Sequence, residues 1–333
     1  MKKSLENSGS LFTFHLSLFT PNSFHQLLSF MNRKNLIIGF LITFFGSILF
    51  STKAIIVKKA FADIKTDALT LLTLRMIFSL PFYVGIAFLF SAKKENVKFT
   101  NRQWAQVIFL GLFGYYLSSL LDFIGLQYIS AGLERLILFL YPTFVVFINL
   151  IFFKQSIGRI QLFALMLTYT GIGIAYIGEL NEDVANANFY WGSFLIFLCA
   201  ITYATYVAGS GKVIPKVGAS KFTAYAMLSS TAGVFLHFAL KNDFAVPIDL
   251  VRDNWVYGLL LAIMATVIPS FMISEGIKKI GSNNVAIVSS VGPVSTILQA
   301  HFILGEKIFA AQIFGTLLVI SGVLLIGWKT GKG

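Results

Sequence analysis

Residues 184–211 carry no Asp, Glu, Lys or Arg, and neither do residues 280–305. About 20 apolar residues suffice for a helix to cross the hydrocarbon core of a bilayer. Eight more runs of similar length accompany these two, giving ten in all: 36–57, 68–90, 103–124, 131–153, 160–178, 189–210, 222–240, 254–275, 283–304 and 308–328. A soluble fold of this size could not hide so much apolar side chain. Only 12% of residues are charged, against about 25% in soluble domains, and the mean hydropathy is +0.79. The natural solvent is lipid, where the backbone must satisfy its own hydrogen bonds. The expected fold is an all-α polytopic membrane protein.

The formal charge of +12 would suggest nucleic acid in a soluble chain. Here the basic residues lie mostly between apolar runs and form no continuous stripe, so nucleic-acid binding is not expected. Counted over alternate connections, 15 Lys and Arg fall on one side and six on the other. The positive-inside rule then places both termini in the cytoplasm, and an even number of spans agrees. The plasma membrane, the inner membrane of a bacterium, is the expected location. Cys199, inside an apolar run, reads as a small buried side chain.

Residues 1–34 read as an N-terminal extension, with a weakly apolar stretch at 11–19 closed by Thr20-Pro21. Either translation starts at Met31-Asn32-Arg33-Lys34, or residues 1–30 are a disordered or surface-lying extension.

Ten runs divide into two sets of five. Residues 125–177 align without gaps on 276–328, with eight identities in 53 pairs, among them Gly125/Gly276, Pro142/Pro293 and Gly171/Gly322. Glycine and proline inside helices are chosen for backbone reasons, so these matches carry most weight. Pro142 and Pro293 are expected to break or hinge their helices. Five is odd, so the second set enters the membrane the other way up. The expectation is ten helices as two inverted five-helix repeats, 35–178 and 189–328, an arrangement typical of secondary transporters.

Phe50-Ser51-Thr52-Lys53 through Lys58, Arg75 with Pro81, and 121–131 followed by Glu134-Arg135 and Tyr141-Pro142 resemble the drug/metabolite transporter superfamily, specifically its EamA-type ten-helix exporters. Gly292-Pro293 and Gly305-Glu306 carry the resemblance in the second half. It implies a central cavity lined by the first, third, fourth, sixth, eighth and ninth helices, no cofactor, and export of a small metabolite. The substrate is left open, and a homodimer is compatible. The Gly-Glu that closes the fourth helix of each half in the family is Lys154-Gln155 in the first half here, so a charge role there does not carry over.

Ionisable groups inside spans are costly and are functional candidates by default. Arg75 lies inside the second run, where it could pair with a carboxylate or hold an anionic group of the substrate. Lys53 lies about a turn and a half deeper than Lys58 and Lys59, which can snorkel to the surface. Tyr115, Ser118 and Asp122 share one helix face, extended by Ser119. Glu134 and Arg135 open the next run on the same membrane side. An Asp122–Arg135 ion pair is expected, leaving Glu134 to take and release a proton. Ser289, Thr296 and Gln299 form a polar face on the ninth run, and Tyr206 with Thr202 and Tyr203 should face the cavity. Each also has a structural reading: an ion pair within the bundle or a helix-to-helix hydrogen bond. His237 and His301 stand alone, and Glu275 should pair with Lys278 and Lys279.

Gly209-Ser210-Gly211-Lys212 lacks the upstream glycine of a phosphate-binding loop. No metal-ligand cluster, nucleophile elbow or other compact catalytic constellation occurs, so the chain is not expected to be an enzyme. A membrane-embedded enzyme and a passive channel remain the alternatives to a carrier.

Overall fold

The computed structural model describes residues 21–64, 66–91, 98–154, 188–242, 248–289 and 291–330, with scattered positions between 159 and 174. Among these residues every regular element is a helix. We label them α1 (Pro21–Ile64), α2 (Ala68–Ser91), α3 (Asn101–Gly125), α4a (Ala131–Leu138), α4b (Tyr141–Phe153), α5 (Phe189–Val217), α6 (Ala219–Lys241), α7 (Ile248–Ala262, continuing to Val288 with kinks at Asn254 and Gly281), α8 (Val291–Gln299, continuing to Leu304) and α9 (Ala310–Thr330). Seven helices among the described residues are long and apolar enough to cross a membrane, and 291–304 and 310–322 are shorter apolar helices. The fifth apolar run, 160–178, falls mostly outside the described residues. So do residues 1–20, whereas the backbone of 21–34 is helical and runs into the first span.

The side chains sort as lipid requires. Phe88, Phe152 and Phe302 point outward at 72%, 74% and 79% exposure, while Arg75, Asp122 and Glu134 are fully buried. This reverses the water-soluble pattern, since an unpaired polar group in hydrocarbon costs more than an exposed aromatic ring. Polar side chains also secure helix starts. Asp67 Oδ1 accepts from the Leu69 and Thr70 amides at 2.9 and 3.2 Å, capping α2, and Ser130 Oγ accepts from the Leu133 amide at 3.0 Å, capping α4a.

The backbone repeats itself at the spacing of the sequence repeat. α2 and α6 begin 151 residues apart, at Ala68 and Ala219. α3 widens into a π-helical segment at Leu110–Leu117, and α7 does so at Ile263–Val267, the equivalent stretch. The chain breaks between α4a and α4b, and again between Val288 and Val291. Pro142 and Pro293 stand in the first turn after each break, where a missing amide hydrogen costs nothing. Each long arm ends in a left-handed residue, Lys154 (φ 52°) and Gly305 (φ 71°).

The two halves embrace rather than sit side by side. α1 packs on α7, and α5 packs on α3, so the first helix of each repeat crosses the third helix of the other. Glycines set the approach. A Cβ on Gly125 would lie 2.5 Å from Ile196, and one on Gly276 would strike Thr43, the equivalent position on α1. Small residues at such crossings let backbones approach, which drives helix association where burial from water cannot.

Candidate functional site

The third turn-and-break of the first repeat delivers charge to the centre of the bundle. Ser130 caps α4a so that Glu134 and Arg135, one turn in, point at α1 and α3. Lys53 Nζ of α1 lies 2.8 Å from Asp122 Oδ2 of α3 and 3.8 Å from Glu134 Oε1. Glu134 Oε2 lies 3.8 Å from Arg135 Nε. Both carboxylate side chains are fully buried and both cations nearly so. Arg135 then ties the cluster to the other repeat. Its Nε donates to Thr296 Oγ1 of α8 at 3.1 Å, and its Nη2 donates to the Phe50 carbonyl at 3.2 Å. Buried charges survive in lipid only when paired and hydrogen-bonded in this way.

Arg75 of α2 is placed differently. It is 1% exposed, and its guanidinium stands over the Phe123 ring at 5.1 Å. Its Nε and Nη2 have no hydrogen-bond acceptor among the described residues.

A stripe of hydroxyls leads along α1 toward the cluster. Thr43, Ser47 and Ser51 recur at i+4, and each donates to the carbonyl four residues back at 2.7 Å. That bond satisfies the hydroxyl inside the helix and leaves its oxygen facing the neighbouring repeat. Ser47 Oγ meets Ser289 Oγ at 2.7 Å, and Thr296 Oγ1 lies 3.4 Å from the Ser51 carbonyl.

Two small cavities flank these groups. One, of ≈ 20 Å³, is bounded by Ser47, Ser51, Arg135, Tyr141, Ser289 and Gly292 among others. The second, of ≈ 10 Å³, is bounded by Lys53, Gly114, Tyr115, Ser118, Ser119 and Cys199. Phe50, Leu138 and Tyr203 border both. Phe50 of α1 stacks on Tyr203 of α5 with ring centres 5.7 Å apart, and Tyr141 meets Tyr203 edge-on at 5.0 Å. A cavity of this size holds about one water molecule. Neither of these two cavities admits a metabolite, so both are closed to solute in the described conformation.

One end of the bundle is fastened between repeats. Glu306 Oε1 and Oε2 accept from the Ala131 and Gly132 amides at 3.1 and 3.3 Å, placing a carboxylate on the N-terminus of α4a. Lys58 Nζ donates to the Leu126 and Ile129 carbonyls at 3.3 and 3.0 Å, placing a cation on the carbonyl end of α3.

Of the residues singled out in the sequence, Lys53, Asp122, Glu134, Arg135 and Thr296 meet directly. Tyr115 and Ser118 line the second cavity beside Lys53, and Tyr206 joins through an edge-on contact with Tyr115 at 5.0 Å. Ser289 lines the first cavity. Gln299 does not join, since its amide donates to Ser295 Oγ at 2.8 Å on its own helix. The expected Asp122–Arg135 pair does not form. Asp122 takes Lys53, and Arg135 turns instead to Thr296 of α8 and the Phe50 carbonyl of α1. His237 accepts or donates at 2.8 Å with Tyr116, and Glu275 meets Lys278 and Lys279 at 3.6 Å each. Phe50, Tyr141 and Glu306 entered the sequence reading only as residues of the resemblance, with no contact assigned to them, and the hydroxyl stripe lay outside it. The i+4 spacing of Thr43, Ser47 and Ser51 in an otherwise apolar run was the available signal.

The model of the EamA-like transporter family matches residues 37–177 and again 190–328. The chain belongs to the EamA-like transporter family. It is therefore an integral membrane protein with a two-repeat architecture, of a family of transporters rather than enzymes. This EamA protein is similar to the uncharacterized transporter YcbK of Bacillus subtilis (strain 168), at 30% identity over 88% of this chain and 95% of the relative. It is also similar to the WAT1-related protein At1g68170 of Arabidopsis thaliana, at 22% identity over 79% and 81% of the two chains. A solved crystal structure shares the EamA protein's fold with a TM-score of 0.66 and 15% identity, covering 88% of this chain and 98% of that one.

Proposed function

We propose that the protein is a secondary carrier that exports a small metabolite by alternating access. Its ten membrane helices form two inverted five-helix repeats, 35–178 and 189–328, with both termini in the cytoplasm of the plasma membrane. The count of 15 basic residues against six, and the odd number of helices per repeat, support that topology.

The observation that carries the mechanism is the buried ion cluster bound across the repeat boundary through Arg135 and Thr296. A cluster that spans two bodies is remade when they rock. The closed cavities on either side of it fit a solute only after such a movement. Export is driven by proton exchange. Glu134 is the more loosely held carboxylate, with both ion contacts at 3.8 Å against 2.8 Å for Lys53–Asp122. A proton can replace its charge with the least loss of pairing.

The test is solute flux in proteoliposomes against a panel of amino acids, nucleobases and organic ions under an imposed pH gradient. Saturable, gradient-dependent flux that is lost in Asp122→Asn and Glu134→Gln is expected. Flux indifferent to the gradient in wild type would remove proton exchange from the account.

A further inference from the structure

We infer that the transported solute carries a negative charge, a carboxylate or a phosphate, and that Arg75 is the cation that balances it. The inference rests on the carrier reading above and names the substrate class of that site.

The argument begins with charge. Inside the bundle, Lys53, Arg75 and Arg135 stand against Asp122 and Glu134. Lys221, also buried, lies over the Phe99 ring in the first turn of α6, away from this centre. The two carboxylates are held by Lys53 and Arg135. Among the described residues Arg75 has no carboxylate within ion-pair distance, and three buried cations at this centre face two buried carboxylates. An excess charge in a lipid-surrounded interior is expensive and is retained where something of opposite sign comes to meet it.

Hydrogen bonding makes the same point. A guanidinium has five donors and no acceptor. Nε and Nη2 of Arg75 are buried with no acceptor among the described residues. The Phe123 ring at 5.1 Å makes the positive charge tolerable but takes none of these hydrogens. The free fork matches the two oxygens of a carboxylate or phosphate.

Packing does not demand an arginine here. The equivalent position in the second repeat is Ala226, fully buried at the corresponding place on α6. Every member of the ion cluster shows this asymmetry, since Asp122, Glu134 and Arg135 correspond to Ile273, Val285 and Ala286, and Lys53 of the first helix to Tyr206. The scaffold is symmetric and its charge belongs to one half.

A receiving surface lies close by. Arg75 stands on Phe123 of α3, and Tyr115, Ser118 and Ser119 of the same helix line the cavity with Lys53. Ammonium, phenol and two hydroxyls converge there as donors. An anion entering that cavity as it widens meets them first and Arg75 behind them.

The experiment is thermal unfolding of the purified full chain in lipid nanodiscs, with Arg75→Met and Arg75→Lys alongside wild type. The probes are lactate, succinate and glycerol 3-phosphate, with choline and glycerol as cationic and neutral counterparts, all at constant chloride. At least one anionic probe is expected to raise the wild-type midpoint saturably. Arg75→Met loses that rise, and without any probe it unfolds at or above the wild-type midpoint, because it sheds an unpaired buried charge. Arg75→Lys keeps a charge without the fork and responds at higher probe concentration. Three results would overturn the inference: a probe-free midpoint of Arg75→Met well below wild type, which means a structural ion partner; stabilisation by choline or glycerol alone; or no response of wild type to any anion. An anion response without transport would sink the carrier reading and leave the anion site standing.

Discussion

Phe50 and Tyr203 stack on each other across the boundary between the two repeats, and they occupy equivalent positions in them. The connection after α5 is two residues shorter than the one after α1, so first-helix equivalents are 153 residues apart rather than 151. Gly39 and Gly192 obey the same spacing: one approaches Lys279 and Ile280, the other their counterparts Tyr128 and Ile129. The stacked pair therefore marks where the pseudo-symmetry of the two halves brings a residue against its own equivalent, and it walls one small cavity from the other.

Phe50→Ala and Tyr203→Ala should each merge the two cavities. The cost should be about 2–4 kcal/mol, toward the low end of aromatic truncations, because lipid supplies no hydrophobic drive. Both variants should also leak solute without counter-substrate. Thermal unfolding and one-way efflux from proteoliposomes check the two halves of this expectation.

The ion cluster predicts unequal single-residue effects. Lys53→Met leaves two buried carboxylates with Arg135 alone and should destabilise by about 3–5 kcal/mol. Asp122→Asn leaves Lys53 its second contact at 3.8 Å to Glu134 and should cost less, about 1–2 kcal/mol. The Lys53→Met/Asp122→Leu double variant should recover most of the Lys53→Met loss. A double-mutant cycle on unfolding free energies measures the coupling, and additive effects would contradict the pairing.

Glu306 fastens the second repeat to the N-terminus of α4a. Glu306→Ala removes the acceptor for two amides and should cost about 1–3 kcal/mol in the closed conformation. With Cys199→Ser as background, an Ala131→Cys thiol should react faster with a membrane-impermeant maleimide once Glu306 is Ala. Equal labelling rates would mean the contact is not a fastening of the closed state.

The matched left-handed residues give a stability prediction of opposite signs. Lys154 adopts φ 52°, where its counterpart is Gly305 at φ 71°. A side chain in this region costs roughly 1–2 kcal/mol. Lys154→Gly should therefore be neutral to stabilising by up to about 1 kcal/mol, and Gly305→Ala should be destabilising by about 1–2 kcal/mol. Midpoints of thermal unfolding decide both.

Asp67 sets an acid limit at the end of α2. Burial raises its carboxyl, but the Thr70 hydroxyl and amide and the Lys241 ammonium outweigh that and hold it below the usual carboxylate range. A group with a depressed folded pKa contributes stability above its unfolded value, near 3.9, and loses it as pH falls through the folded value. The side chain is half exposed, so under about 1 kcal/mol is at stake. Asp67→Asn should flatten the stability profile below about pH 4 and leave the neutral range changed only by the weaker cap.

Much of this was legible in the sequence. Charge-free runs of this length admit only a lipid solvent, and the Pro142/Pro293 and Gly125/Gly276 matches located the repeat. Lys53, Arg75, Asp122, Glu134 and Arg135 announced themselves as charges where charge is costly. Their pairing was not legible, since whether Asp122 meets Lys53 or Arg135 depends on which helices are neighbours. α1 turned out to cross α7 of the opposite half. Phe50 stood in the resemblance motif, but nothing in the sequence set its stacking role apart from the other phenylalanines of the 35, most of which an apolar run would carry for lipid contact alone. The π-helical segments leave no periodic mark in runs that are apolar all round.

Counterflow in proteoliposomes tests the central claim most directly: labelled solute outside, unlabelled solute in excess inside, and no gradient of the total driving uptake. A carrier that remakes its buried cluster with each turnover should accumulate label transiently above equilibrium, and Lys53→Met should abolish the overshoot. Uptake that rises only to equilibrium, linear in concentration and indifferent to internal solute, would show a passive pore and contradict alternating access.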